Sequence, residues 1–242
     1  VWFVLFIFVR QMNRIVEYLS DFWFLLFPKN CEACGRVLTR SEEVLCFDCL
    51  FELPRTHFCR ELDNPVRQLF DGRMRVEKAT ALFSFQKGSK FRKLLHSLKY
   101  NHKPEIGVLL GKELGAEMLS SGNFSDIDYI IPVPLHPNRE KKRGYNQSER
   151  IAAGISAVTG IPVLVGMLVR NDDTKTQTKM NKEERWQNVS GKFSLTDADR
   201  LKGCHVLLVD DVLTTGATTE ACGSVLLMVD GLKLSIAVLA RA

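Results

Sequence analysis

The sequence lacks the glycine-rich fingerprints of the common nucleotide folds. No Gly-Lys followed by Ser or Thr closes a turn, and no G-x-G-x-x-G run occurs. Walker-type NTPases and dinucleotide-binding oxidoreductases are therefore set aside. No apolar run reaches the ~20 residues that a bilayer span needs. Residues 1–9 are wholly apolar but stop at Arg10, and the next apolar run, 19–27, contains Ser20 and Asp21. No block of like charges is long enough to read as a disordered tail, and no internal repeat or low-complexity segment is present. A basic start and a small-residue cleavage site, the marks of a signal peptide, are missing as well. A cytoplasmic protein is expected, with membrane association through the apolar N-terminus as the alternative. Residues 1–11 read either as translated sequence upstream of Met12 or as part of a membrane-surface helix.

What is present fits one large domain or a domain with a small module: 242 residues, 45% hydrophobic, with a net charge of +5. That mild basicity permits an anionic ligand or a nucleic acid and demands neither. The cysteines separate into a cluster and a scatter. Cys31-Glu32-Ala33-Cys34-Gly35 and Cys46-Phe47-Asp48-Cys49 form two C-x-x-C pairs, while Cys59, Cys204 and Cys222 are dispersed. One such turn presents two thiolates to a metal, and two complete a tetrahedron with no open position, so a structural zinc is expected. A segment with so few apolar residues needs that staple to fold. Cys59 reads as a buried thiol. The expected organisation is an apolar segment over 1–28, a zinc module over 29–64 and a larger domain over 65–242.

In the larger region short apolar runs alternate with helical patterns. Strands are expected over 79–85, 127–133, 163–169, 206–209 and 234–239, and helices over 89–100, 104–119, 147–158 and 217–229. This alternation argues an α/β fold with a mostly parallel sheet flanked by helices. The most informative stretch is V-L-L-V-D-D-V-L-T-T-G-A-T, Val206 to Thr218. A buried parallel strand reads as a continuous apolar run, and ligands bind at the carboxyl ends of such strands. Asp210 and Asp211 suit paired hydroxyls such as those of a ribose. Thr214, Thr215, Gly216, Ala217 and Thr218 offer hydroxyls and backbone N–H groups at a helix start, which makes a phosphate cradle.

Three further segments carry charge suited to phosphate. After the strand ending in Pro132-Val133-Pro134 comes a basic loop with Arg139, Lys141, Lys142, Arg143 and Gly144, leading into a helix near Asn146 or Ser148. Residues 170–189 form a long polar stretch whose Lys175, Gln177, Lys179 and Arg185 could close over a pyrophosphate. A third is the helix around Lys90, Arg92, Lys93, His96 and Lys99. It is basic without an interrupting acid, so it is either a solvated face or an anionic-ligand surface.

Together these elements resemble the ComF family of phosphoribosyltransferase-like proteins, which includes competence proteins and a group linked to gluconate utilisation. The resemblance runs through C-E-A-C-G, C-F-D-C, L-L-H-S-L-K-Y, I-P-V-P-L-H, K-R-G-Y-N-Q-S-E, T-K-T-Q-T and V-D-D-V-L-T-T-G-A-T-T-E-A-C. Where many relatives carry a second C-x-x-C-G, this chain has only Cys59. The resemblance implies a type I phosphoribosyltransferase fold with an N-terminal zinc ribbon. In it, Asp210 to Thr218 would bind the ribose hydroxyls and 5-phosphate of phosphoribosyl pyrophosphate (PRPP). Arg143, Gly144, Lys175 and Gln177 would face the pyrophosphate, and Mg2+ would bridge ribose and pyrophosphate oxygens. The implied reaction is displacement of pyrophosphate from the sugar C1 by a nitrogen acceptor that the sequence does not identify; no catalytic residue is assigned. With no glutaminase region or N-terminal cysteine nucleophile, glutamine-dependent amidotransfer is not expected. The alternative is a DNA-uptake factor that binds single-stranded DNA or competence proteins and keeps the PRPP pocket as a sensor or relic.

Overall fold

The structure, a computed structural model, describes residues 26–84, 88–171 and 192–241. The chain divides into two compact units, one ending at Glu52 and the other beginning at Leu53.

In the first unit, Gly35 takes a left-handed conformation (φ +80°). That turns the chain back so that Asn30 and Val37 form an antiparallel bridge. The short helix α1 (Phe47–Phe51) contains Cys49 of the second cysteine pair and has Cys46, the other member, at its N-cap. Leu38, Val44 and Leu45 are buried beside the cysteines. The buried carboxylate of Glu42 joins the two halves. It accepts from the backbone N–H of Thr39 and of Phe47, each at 2.7 Å, and from the Thr39 hydroxyl at 3.0 Å. Those donors hold its pKa below the usual carboxylate value.

The second unit is built on a four-stranded sheet of β1 (Lys78–Ser84), β2 (Tyr129–Pro132), β5 (His205–Leu213) and β6 (Lys233–Arg241), in the order β1-β6-β5-β2. Every neighbouring pair is parallel. The expected parallel sheet flanked by helices is present. Its core is the apolar interior of β5 and β6: Val206, Leu207, Leu208, Val209, Leu234, Ile236 and Val238 are fully buried. Fully burying one such side chain contributes about 1.5–3 kcal/mol. The helices are α2 (Pro65–Gln68), α3 (Phe91–Tyr100), α4 (Pro104–Ser121), α5 (Pro137–Arg143), α6 (Gln147–Thr159) and α7 (Ala217–Leu226). As the periodicity predicts, α3 buries Phe91, Leu94, Leu95 and Leu98.

Helices α4 and α6 approach backbone to backbone. A Cβ on Gly111 would lie 2.3 Å from the Ile151 carbonyl oxygen, and one on Gly154 would lie 2.3 Å from that of Val108. Only glycine fits either place. This contact fixes α6, whose first turn borders the candidate site.

The structure departs from the sequence reading in three places. Of the strand expected over 163–169, only Leu168–Arg170 forms (β3), and it pairs antiparallel with an unexpected strand β4 (Phe193–Leu195). Gly166, at φ +75°, breaks the run, and Val163 makes only an isolated parallel bridge to Ile130. The basic segment after β2, expected as a loop, is largely helix α5, started by Pro137 and stopped by left-handed Gly144. Residues 53–64, which the sequence reading groups with the cysteines, fall in the second unit. There Thr56 N–H donates to the Leu82 carbonyl of β1 at 3.1 Å, and the Asn64 amide donates to the Ala79 carbonyl at 2.8 Å. Among the described residues no helix is long and apolar enough to cross a membrane.

Candidate ligand site and metal centre

The sulfurs of Cys31, Cys34, Cys46 and Cys49 all lie within 4.8 Å of one another. The backbone supports them as ligands. Cys46 N–H points at the Cys31 sulfur and Cys49 N–H at the Cys46 sulfur, each at 3.4 Å. Burial alone would raise the Cys31 thiol, but backbone N–H groups around it outweigh that and bring its pKa down to about 7. Burial raises Cys46 and Cys49. Thiolates packed this closely need a cation among them, so the quartet could hold a metal ion such as zinc. Cys59 is not part of it: it is buried in the second unit, 3.2 Å from the Thr80 hydroxyl.

The second centre gathers at the carboxyl ends of β5 and β2. β5 runs on through both acids to Leu213, farther than the apolar run alone predicts. The half-buried Asp210 carboxylate accepts from the Asp211 N–H at 2.8 Å and from the Ser148 hydroxyl at 3.1 Å. Loss of hydration, then the neighbouring Asp211 charge, push the Asp210 pKa up to about 7. Asp211 pairs with Lys99 of α3 at 3.0 Å.

Directly beyond β5, Thr214, Thr215, Ala217 and Thr218 are exposed, whereas Gly216 is buried. Gly216 is the N-cap of α7 at φ +76° and has no side chain to cap it, while the Thr215 hydroxyl accepts from the Ala217 N–H at 3.4 Å. A Cβ at Gly216 would lie 3.0 Å from the Phe70 ring and 3.2 Å from Leu69, so the turn requires glycine for both conformation and space. Arg73 ties the same turn from behind. Its guanidinium donates to the Thr215 carbonyl at 3.0 Å and pairs with Glu220 of α7. The 214–218 turn is thus held from outside while its hydroxyls face solvent at a helix N-terminus.

The α5–α6 junction completes the arrangement. The side chain of Asn146 caps α6 by accepting from the Ser148 N–H at 3.0 Å, and its amide donates to the Val133 carbonyl, just past β2, at 3.0 Å. Val133 N–H in turn donates to the Val209 carbonyl at 2.9 Å. The first turn of α6 is therefore anchored to the two strand ends that carry the site. The Arg143 guanidinium lies 5.2 Å from the centre of the Tyr100 ring, and the Arg143 carbonyl accepts from His102 Nδ1 at 2.9 Å. The Tyr145 hydroxyl donates to the Leu98 carbonyl.

Of the residues singled out by sequence, Asp210, Asp211 and the 214–218 turn are consecutive along one strand end, and Arg143 and Gly144 lie on the neighbouring junction. Lys175 and Gln177, with the rest of the expected closing segment, lie outside the described residues. Sequence reasoning missed the parts played by Lys99, Ser148 and Arg73. Lys99 and Ser148 fall inside motifs whose visible signals are charge and a helix start. No local pattern marks Arg73, whose partners are far along the chain.

No family model matches the chain. It is 29% identical over 206 residues to the DNA utilization protein YhgH of Escherichia coli K12, covering 81% of this chain and 83% of that protein. It is 36% identical over 114 residues to competence protein F of Haemophilus influenzae, covering 47% of this chain and 50% of that one. With competence protein ComFC of Bacillus subtilis it shares 33% identity over 98 residues, covering 40% and 38% respectively. Among solved structures, it resembles the glutamine PRPP amidotransferase of B. subtilis at 25% identity and a TM-score of 0.38. That match covers 56% of this chain but only 26% of the amidotransferase. The chain is thus similar to DNA utilization and competence proteins, in keeping with the resemblance of its motifs to the ComF family of phosphoribosyltransferase-like proteins.

Proposed function

We propose that this protein binds PRPP with Mg2+ and transfers its phosphoribosyl group to a nitrogen acceptor, releasing pyrophosphate. One observation carries the reading: an acid pair at the open end of β5 runs straight into an exposed, rigidly backed turn at the start of α7. Asp210 and Asp211 would accept hydrogen bonds from the ribose hydroxyls. The N–H groups and hydroxyls of 214–218 would hold the 5-phosphate, and Arg143 with the Gly144 backbone would face the pyrophosphate. As the bond to C1 breaks, positive charge develops on the sugar and negative charge on the departing pyrophosphate, and these fixed groups would stabilise both. Magnesium, when bound, would neutralise pyrophosphate charge, mostly through ligand oxygens. Among the described residues the cysteine quartet is the only cluster of three or more metal-ligating side chains. In the other unit, zinc on that quartet would be structural.

A second reading is a DNA-handling protein. The names of the relatives and the exposed Arg92 and Lys93 on α3 favour it. Calorimetry with PRPP, with and without Mg2+, and with a short single-stranded oligonucleotide over a salt series separates the two. The transferase reading expects Mg2+-dependent PRPP binding and weak oligonucleotide binding that PRPP competes away. The DNA reading expects a log–log salt slope of about −0.7 per phosphate neutralised. A flat slope would rule it out, and PRPP binding absent at millimolar ligand would rule out the first.

A further inference from the structure

The end of α3 stands between the acidic and the basic halves of the candidate site. Lys99 reaches Asp211. Its neighbours reach the α5–α6 junction: the Leu98 carbonyl takes the Tyr145 hydroxyl, the Tyr100 ring lies under the Arg143 guanidinium, and His102 donates to the Arg143 carbonyl. His102 holds a left-handed backbone (φ +52°), uncommon for a residue with a side chain, just where this contact is made. Lys99 is therefore fixed at its backbone between the two halves, while its Nζ sits on a flexible four-carbon stem with three donors.

In PRPP the pyrophosphate is carried on C1, beside the C2 hydroxyl. A sugar whose hydroxyls engage Asp210 and Asp211 brings pyrophosphate oxygens next to the carboxylate that Lys99 now touches. The Lys99–Asp211 pair is partly solvated, with 27% and 13% of the side chains exposed. A lone pair of this kind is weak, whereas a pyrophosphate offers several charged acceptors. The ribose hydroxyls meanwhile need the Asp211 oxygens. We propose that Lys99 is a ligand-contacting residue: in the free protein it neutralises Asp211, and on binding it turns to the pyrophosphate. This inference rests on the PRPP reading above.

The test is calorimetry with Mg2+ on wild type, Lys99→Met, Lys99→Gln and Lys99→Arg, using PRPP, inorganic pyrophosphate and ribose 5-phosphate. Thermal melts check that each variant folds. The expected result for the two neutral variants is a loss of roughly tenfold to a hundredfold in affinity for PRPP and pyrophosphate. Ribose 5-phosphate should bind as well as to wild type or better, and Lys99→Arg should recover most of the PRPP affinity. Unchanged PRPP binding in the neutral variants would overturn the proposal. So would an equal loss for all three ligands, which would make Lys99 a mere prop for Asp211. If wild type binds none of them, the PRPP reading itself fails, and the Lys99 proposal falls with it.

Discussion

The two units of this chain are held together by different means. The unit ending at Glu52 has a small apolar core, Leu38, Val44 and Leu45 among its cysteines, and relies on a sulfur quartet and one buried carboxylate. The unit from Leu53 onward buries whole strands and seats α4 against α6 through glycines. The first should fail when a few side-chain atoms change and the second when volume changes. Failure of one need not bring down the other.

The largest effect expected is on the first unit. Structural zinc in finger-sized modules supplies about 10–16 kcal/mol of binding free energy near neutral pH, which becomes folding free energy. Replacing Cys31, Cys46 or Cys49 with Ser should release the metal and expose residues 29–52 to protease, while the far-UV signal of the sheet persists. Metal analysis and limited proteolysis read this directly. A sheet that unfolds along with the module would erase the distinction between the units.

The converse experiment is Gly111→Val or Gly154→Val. Each drives a side chain into a carbonyl oxygen, and overpacking of this kind costs roughly 1–3 kcal/mol or more. Denaturant midpoints of the second unit should drop, with bound metal unchanged. An unshifted midpoint would mean that α4 and α6 do not approach this closely.

A smaller, pH-dependent effect is expected from Asp210. Its carboxyl keeps a proton up to about pH 7 in the folded chain, against an ordinary value of 3.8. The folded state therefore binds more protons across that window, and stability should fall as pH rises from about 4 to about 7. Asp210→Asn should flatten that part of the profile. PRPP affinity should rise through pH 7 more steeply in wild type than in Asp210→Asn, the variant correcting for titration of the ligand itself. The smallest effect is Ser148→Ala, which removes one hydrogen bond to Asp210 and should weaken PRPP binding by about 1 kcal/mol.

What the sequence made legible follows the same division of forces. The cysteine quartet was legible because metal geometry turns directly into C-x-x-C spacing, and β5 because a buried parallel strand is a continuous apolar run. Where local chemistry competes, legibility fails. Gly166 stops the run over 163–169, and Pro137 with Gly144 makes a helix of a segment that its charges suggested was a loop. Lys99 and Arg73 act through partners far along the chain, Asp211 and Thr215, so no local pattern could announce them.

The central claim is that the end of β5 and the turn after it form a phosphoribosyl site. The most direct measurement is Mg2+-dependent PRPP binding by calorimetry to wild type, Asp210→Asn, Asp211→Asn and the double variant. Each single change removes a charge-assisted hydrogen bond and should cost ~1.5–3 kcal/mol, roughly tenfold to over a hundredfold in affinity. The double variant should bind more weakly than either single one while keeping its fold. A double variant that binds PRPP as tightly as wild type would contradict the account.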